Sequence, residues 1–307
     1  MTGHFTSRPF IRKYPSMLIL FIVLLSGCAT QQNLDAGTVT PPERPYRILV
    51  TNDDGIESEG VRQLAIAVAE FAQVVVVAPE KNESGASQSS RIMRVRAQAN
   101  PVDISPSLRA WSLNGTPSDC AAFGVRVFGQ EKPFDLVLSG INIGANSGSA
   151  YLYSGTVGAA MQGLADGIPA IAVSQDHHRT DFSVSVAFTV AVVKSVLARP
   201  MPRGIMLNLN IPDGNIRGVK VLPTGGDAFN VTVEQAEDES GPYYRPVIGP
   251  VEKPQPGGDI EAFRDGFITV TPLQLDRNAY DSLEKVNNYS FVGFLPSSPE
   301  SASAAHE

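Results

Sequence analysis

The stretch RILVTNDDGIESEGVRQLAIAVAEFAQVVVVAPE, Arg47 to Glu80, decides the fold. Its opening RILV is apolar without polar alternation, the pattern of a strand buried on both faces. From Ser58 to Ala72 apolar residues recur at helical spacing, and Gln73 to Glu80 is a second continuous apolar run. Strand, helix and strand within about 35 residues make a βαβ unit, in which the two strands lie parallel under the crossing helix. The first strand ends on two neighbouring aspartates, Asp53 and Asp54. Like charges a few Å apart repel by roughly 4 kcal/mol at an effective dielectric of 20, so a compensating group is expected.

The same theme recurs downstream. Phe134–Asn142 reads as a strand leading into a polar, glycine-containing loop, Ser154–Gly167 as a helix, Pro169–Ser174 as a strand, Phe182–Ala198 as a helix and Gly204–Pro212 as a strand. Apolar strands separated by helices predict an α/β, Rossmann-like three-layer sandwich with a mainly parallel sheet, its core spanning 46–222. Residues 223–290 are rich in glycine, proline and charge, with extended pieces such as YYRPVIG and a late strand in GFITVTPLQL; they predict a β-rich extension or oligomerisation arm. Residues 291–307 read as a disordered tail.

The beginning of the chain is set apart. Arg8, Arg12 and Lys13 precede a nine-residue apolar run, Met17 to Leu25, and then LSGC at Leu25 to Cys28. Nine residues are too few to span a bilayer, so the run reads as the core of a signal peptide, 1–27. Ser26-Gly27 before Cys28 resembles a bacterial lipobox, which predicts lipidation of Cys28 and anchoring in the cell envelope, at the periplasmic face of the outer membrane because Ala29 rather than aspartate follows. Residues 28–45, with three prolines and no periodicity, read as a flexible tether. Without residues 1–27 the formal charge is 21 − 31 = −10, which disfavours a nucleic-acid polymer as partner. Cys120 is then the only other cysteine, read as a buried apolar residue.

The chemistry is bounded by what the chain lacks. Its four histidines are His4, His306 and the adjacent pair His177-His178. With one cysteine in the body, a tetrahedral Cys/His zinc site is effectively excluded, and any metal is expected to be oxygen-ligated: magnesium, manganese or calcium. Ligands of a parallel α/β sheet gather beyond the carboxyl ends of its strands. Those ends carry Asn52, Asp53, Asp54 and Gly55, then Ser84, Ser87 and Ser89, then Asn142 and Asn146. A helix starting near Ser154 adds Ser154, Gly155 and Thr156, a cradle for a phosphate at the positive end of the helix dipole. Each piece has a plainer reading: NDDG as a turn, SGT as a helix cap, the serine loop as a solvated connection, His177-His178 as a surface pair.

Seven blocks in order, ILVTNDDG, VVAPEKNESGASQS, NGTPSDC, DLVLSGINIGAN, YSGTVGAAMQG, GIPAIAVS and GFITVTPL, resemble the SurE family of 5′-nucleotidases from about Tyr46 to the high 280s. The resemblance implies hydrolysis of nucleoside 5′-monophosphates, with 3′-monophosphates as further substrates, one divalent ion (Mg²⁺ or Mn²⁺), and an arm exchanged in a homodimer or homotetramer. It places metal ligands on Asp53, Asp54, Ser84 and Asn142, with the two aspartates as catalytic residues. Asn146, Ser154, Gly155 and Thr156 fall on the phosphate side, and Asn52 stands beside the aspartates to hold a carboxylate or a phosphate oxygen. The chain departs from the family at Ala145, where proline is common, at Gly258, where threonine is usual, and in its leader. Three alternatives stay open: Asp53 as a nucleophile, a non-nucleotide substrate such as polyphosphate or a sugar phosphate, and a lipoprotein that binds nucleotide or metal without turnover.

Overall fold

The computed structural model describes residues 44–91, 96–106, 108–130 and 132–289. The segment read as a signal peptide, Cys28, all but the end of the expected tether, and residues 291–307 lie outside the described residues. Among the described residues no helix is long and apolar enough to cross a membrane.

The opening βαβ unit forms as read. Strand β1 (Arg47–Thr51) is buried along its whole length. Helix α1 (Glu59–Ala69) turns Val61, Leu64, Ala65 and Val68 inward, the i, i+3, i+4, i+7 stripe that buries a helix against a sheet. Strand β2 (Gln73–Pro79) pairs parallel to β1, with Ile48 opposite Val74.

Strands β3 (Ala99–Val102) and β4 (Arg109–Leu113) complete this side of the sheet. On the other side of β1 lie β5 (Leu136–Ile143), β6 (Ala170–Gln175) and β7 (Ile205–Ile211), all parallel. The full order is β3-β4-β2-β1-β5-β6-β7-β11-β8, where β8 is Gly218–Val221 and β11 is Phe267–Gln274. The chain therefore first builds outward from β1 in one direction and then reverses at β5. Such a reversal opens a crevice at the strands' carboxyl ends, here between β1 and β5.

Helix α2 (Pro117–Phe123) begins at a reciprocal cap, with the Thr116 hydroxyl accepting from Asp119 N–H and the Asp119 carboxylate accepting from Thr116 N–H. Helices α3 (Gly155–Ala165) and α4 (Ser183–Ala198) follow β5 and β6. Cys120 is fully buried in the apolar core, as read, and burial raises its thiol pKa well above the ordinary value. A free thiol so placed is unreactive.

The C-terminal third divides differently from a boundary at 223. Strand β11 returns to the main sheet, antiparallel to β7, and short helix α5 (Asp259–Arg264) packs against it. Among the described residues only the hairpin of β9 (Phe229–Asp238) and β10 (Gly241–Pro250) forms a separate two-stranded sheet. It exposes Val233, Tyr244 and Ile248, each about two-thirds accessible or more.

Candidate active site

At the carboxyl end of β1 the chain turns through Asn52, Asp53 and Asp54. Asn52 is fully buried, and its amide donates to Gly55 O (2.9 Å) and Ser58 Oγ (2.7 Å). That closes the turn into α1. Asn52 thus braces the loop that carries the aspartates, and its Oδ1 is buried without a partner.

Asp53 is only 3% exposed. Its Oδ1 accepts from the Thr156 hydroxyl at 2.5 Å, and backbone N–H groups of Gly155 and Thr156 also bond to its carboxylate. Gly155 is required by this approach: a Cβ there would stand 2.8 Å from Asp53 Cβ and 3.0 Å from its Oδ2. Burial raises the Asp53 pKa, while the bonds from Thr156 and Gly155 pull it down. Asp54 is half-buried, and its pKa is pushed up to about 7, by burial first and by the Asp53 charge second, against a bond from the Ile143 backbone. Among the described residues no lysine or arginine is ion-paired with either carboxylate.

The start of α3 is therefore turned toward Asp53. Thr156, read from the sequence as a phosphate contact, gives its hydroxyl to Asp53, and the Ser154 hydroxyl accepts from Val157 N–H as the helix cap. The helix dipole favours a negative charge at this end, so α3 partly offsets the carboxylate it faces.

The serine loop is brought to the same place. Asp53 O accepts from Glu83 N–H at 2.8 Å, which ties the loop carrying Ser84 to the backbone of the first aspartate. The Ser84 side is exposed, and its N–H donates to Asn82 Oδ1. Ser87 donates to Leu152 O, and Ser89 O accepts from Thr116, so these two serines pack the loop onto its neighbours.

Strand β5 supplies the rest. Its register with β6 shifts between Ser139 and Asn142, at Gly140, whose φ of 141° and whose would-be Cβ 2.5 Å from Val173 O leave room only for glycine. Such a bulge re-aims the following side chain. Asn142 donates its amide to Gly144 O at 2.7 Å, which leaves its Oδ1 as a donor atom for a cation. Asn146 is held at three points: N–H to Asn210 Oδ1, carbonyl from Asn208, and side-chain amide to Ser174 Oγ. Ala145, where a proline is common in the resembling family, precedes a residue fixed by these bonds.

Two further features were not read from the sequence. Asp259 is fully buried and accepts from Gly148 N–H and Gly225 N–H, joining the loop after Asn146 to the start of the C-terminal third. Its neighbour Gly258 has no space for a side chain, since a Cβ would stand 2.2 Å from Gly225 Cα. The only sequence signal for this bracket was an acidic residue in a glycine-rich stretch. A cleft of about 560 Å³ lies at the other end of the strands, beside Arg47, Gln73 and Arg109, away from the carboxylates.

Fold and site together define an α/β protein with a carboxylate pair and amide and hydroxyl oxygens at a topological switch point. The chain belongs to the SurE family: the family described as Survival protein SurE matches residues 48–230. It is 40% identical over 251 residues to the 5′-nucleotidase SurE of Pseudoalteromonas atlantica, covering 79% of this chain and 98% of that protein. It is 38% identical over 256 residues to the 5′/3′-nucleotidase SurE of Yersinia pseudotuberculosis, covering 79% and 95%. The crystal structure of the SurE protein from Aquifex aeolicus superposes with a TM-score of 0.69 at 36% identity, covering 78% of this chain and 98% of that one.

Proposed function

We propose that the protein is a 5′-nucleotidase that hydrolyses nucleoside 5′-monophosphates, and 3′-monophosphates, to nucleoside and phosphate with one divalent ion, Mg²⁺ or Mn²⁺. The observation that carries this reading is the carboxylate pair Asp53-Asp54, held side by side at the β1–β5 crevice with no lysine or arginine among the described residues paired to it. The names of the relatives support the substrate class.

The residues present fit a hard cation. Asp53, Asp54, Asn142 and Ser84 offer only oxygen atoms, and the Asn142 amide nitrogen is already spent on Gly144. Bound there, the ion would supply charge neutralisation and would lower the pKa of a water molecule. The chain's own residues do the positioning. Thr156 and Gly155 fix Asp53, the Ile143 backbone and burial fix Asp54, and Asn208, Asn210 and Ser174 fix Asn146. Asn146 and Ser154 to Thr156 form the phosphate side, to which Gly155 contributes the absence of a side chain and Asn52 a braced turn. Positioning and charge balance are the main resources of phosphoryl-transfer catalysts.

We read Asp53 as a holding group: its Oδ1 accepts from Thr156 and its Oδ2 lies against the start of α3, which fixes the carboxylate and leaves a lone pair on each oxygen for an ion. Single-turnover hydrolysis in ¹⁸O-water tests this: label in phosphate alone is expected, and label in the Asp53 carboxylate would establish the covalent route. Phosphate release from AMP and p-nitrophenyl phosphate is expected with Mn²⁺ and not with EDTA, and to vanish in Asp53→Asn and Asp54→Asn. Full activity in either variant defeats the assignment.

Two further readings go with this one. Lipidation at Cys28 would tether the enzyme in the envelope, supported by LSGC after the apolar run at 17–25. Globomycin-sensitive processing is the test, and a Cys28→Ala protein that still partitions into detergent refutes it. The β9–β10 hairpin would dock on a second copy, supported by its exposed Val233, Tyr244 and Ile248 and by the marginal stability of a lone hairpin. Sedimentation of the intact chain and of a Val233→Lys/Ile248→Lys variant tests the dimer or tetramer.

A further inference from the structure

We propose that Asp176, His177 and His178 form a second metal site, for a borderline transition-metal ion such as Zn²⁺. It is distinct from the oxygen-lined site at Asp53-Asp54 and independent of the nucleotidase reading. These residues follow β6 at the carboxyl end of the sheet. One ligand atom from each can be chosen so that all three lie within 4.8 Å of one another. His178 Nδ1 is 2.9 Å and His177 Nδ1 is 3.5 Å from Asp176 Oδ1. A tetrahedral zinc ion with ligands at about 2.0–2.2 Å keeps those ligands about 3.3–3.6 Å apart, and the two separations from Asp176, 2.9 and 3.5 Å, stand close to that range. Two imidazoles and a carboxylate are a donor set that suits zinc, copper or nickel and does not suit magnesium.

The loop is built to hold these groups. Asp176 N–H donates to Ile211 O at 2.8 Å, and Arg179 N–H closes a turn on Asp176 O at 3.1 Å, with the two histidines in its central positions. Beneath the turn, fully buried Gln175 donates to Arg179 O and accepts from Ser185. Arg179, 9% exposed, donates to Pro212 O and Gly214 O. The backbone is thus pinned at both ends, while the two imidazoles are 68% exposed with ring centroids 3.8 Å apart. Preorganised donors open to solvent lose little freedom on taking up an ion, and water completes the coordination. An ion bound here takes the place of the direct contact between His178 Nδ1 and Asp176 Oδ1.

Zinc titration calorimetry on the full chain tests the assignment, in an Asp53→Asn/Asp54→Asn background that removes the other carboxylate pair. One zinc equivalent is expected. Adding His177→Ala/His178→Ala, with His4 and His306 left in place, should weaken it by about 100-fold or more, as should Asp176→Asn to a lesser degree. Cobalt in place of zinc gives a visible absorption band that must disappear with the same substitutions. Zinc uptake that is absent, or that is unchanged by the histidine substitutions, overturns the proposal. Circular dichroism of each variant confirms that exposed substitutions leave the fold intact.

Discussion

Asp54→Asn is expected to make the metal-free protein more stable at pH 8 while abolishing its activity. In the folded chain the Asp54 pKa rises from the ordinary 3.8 to about 7, chiefly through burial and then through Asp53. Raised by that much, the ionised form disfavours folding by about 4 kcal/mol, and solvent reaching this half-buried group reduces the figure to about 2–4 kcal/mol. The sign follows from proton linkage. The folded state holds the proton more tightly than the unfolded one, so the stability is complete below about pH 4 and is lost as pH rises to about 7. Asparagine is neutral throughout and still accepts from the Ile143 backbone. In EDTA the variant should therefore melt about 4–16 °C above the parent at pH 8 and within a few degrees of it at pH 4.5, taking about 2–4 °C per kcal/mol for a domain of this size. Added Mn²⁺ should raise the melting temperature of the parent at pH 8 and leave the variant unmoved. Thermal melts followed by circular dichroism between pH 4.5 and 8.5 decide the matter. A variant that is less stable at pH 8, or a difference that does not change with pH, refutes the reasoning.

Other consequences are as direct. Gly155→Ala places a methyl 2.8 Å from Asp53 Cβ, so kcat should fall at least tenfold and the melting temperature should fall with it; parent-like kcat would show that α3 can retreat without loss. Thr156→Val removes the donor to Asp53 Oδ1 and should cost about 1.5–3 kcal/mol in denaturant unfolding at neutral pH without metal, with KM changing less than kcat. Gly258→Thr, which restores the residue usual in the family, should destabilise this chain by about 1–3 kcal/mol because its Cβ meets Gly225 Cα at 2.2 Å, and urea unfolding measures it.

How far the sequence could be read depended on whether a residue's role was local. The strands β1, β2, β5 and β6 were legible because burial on both faces leaves an unbroken apolar run, and α1 because its stripe repeats every three to four residues. The switch-point position of Asp53 and Asn142 followed from that order. Strands β3 and β4 were missed: Ala99–Val102 is a short edge strand carrying Pro101, and Arg109–Leu113 mixes exposed and buried positions. The antiparallel insertion of β11 between β7 and β8 leaves no local trace, since its apolar run would suit either direction. Thr156 was seen as part of the site, yet the direction of its hydroxyl depends on a partner 103 residues away. Asp259 was visible only as a charge, because what it binds, Gly148 and Gly225, are backbone groups that carry no signature of their own.

The bond between Thr156 and Asp53 also sets an order of events in the life of the chain. The first aspartate emerges early in synthesis, but the hydroxyl that fixes it comes 103 residues later, after β2, β4 and β5 have been made. Contacts of such long separation carry a large loop-closure cost and form late in folding. Until then the two carboxylates are ordinary solvated groups with little reason to hold an ion. On the proposed reading, in which these aspartates hold a divalent cation, the rate of ion uptake during refolding is a timestamp for the first meeting of β1 and α3.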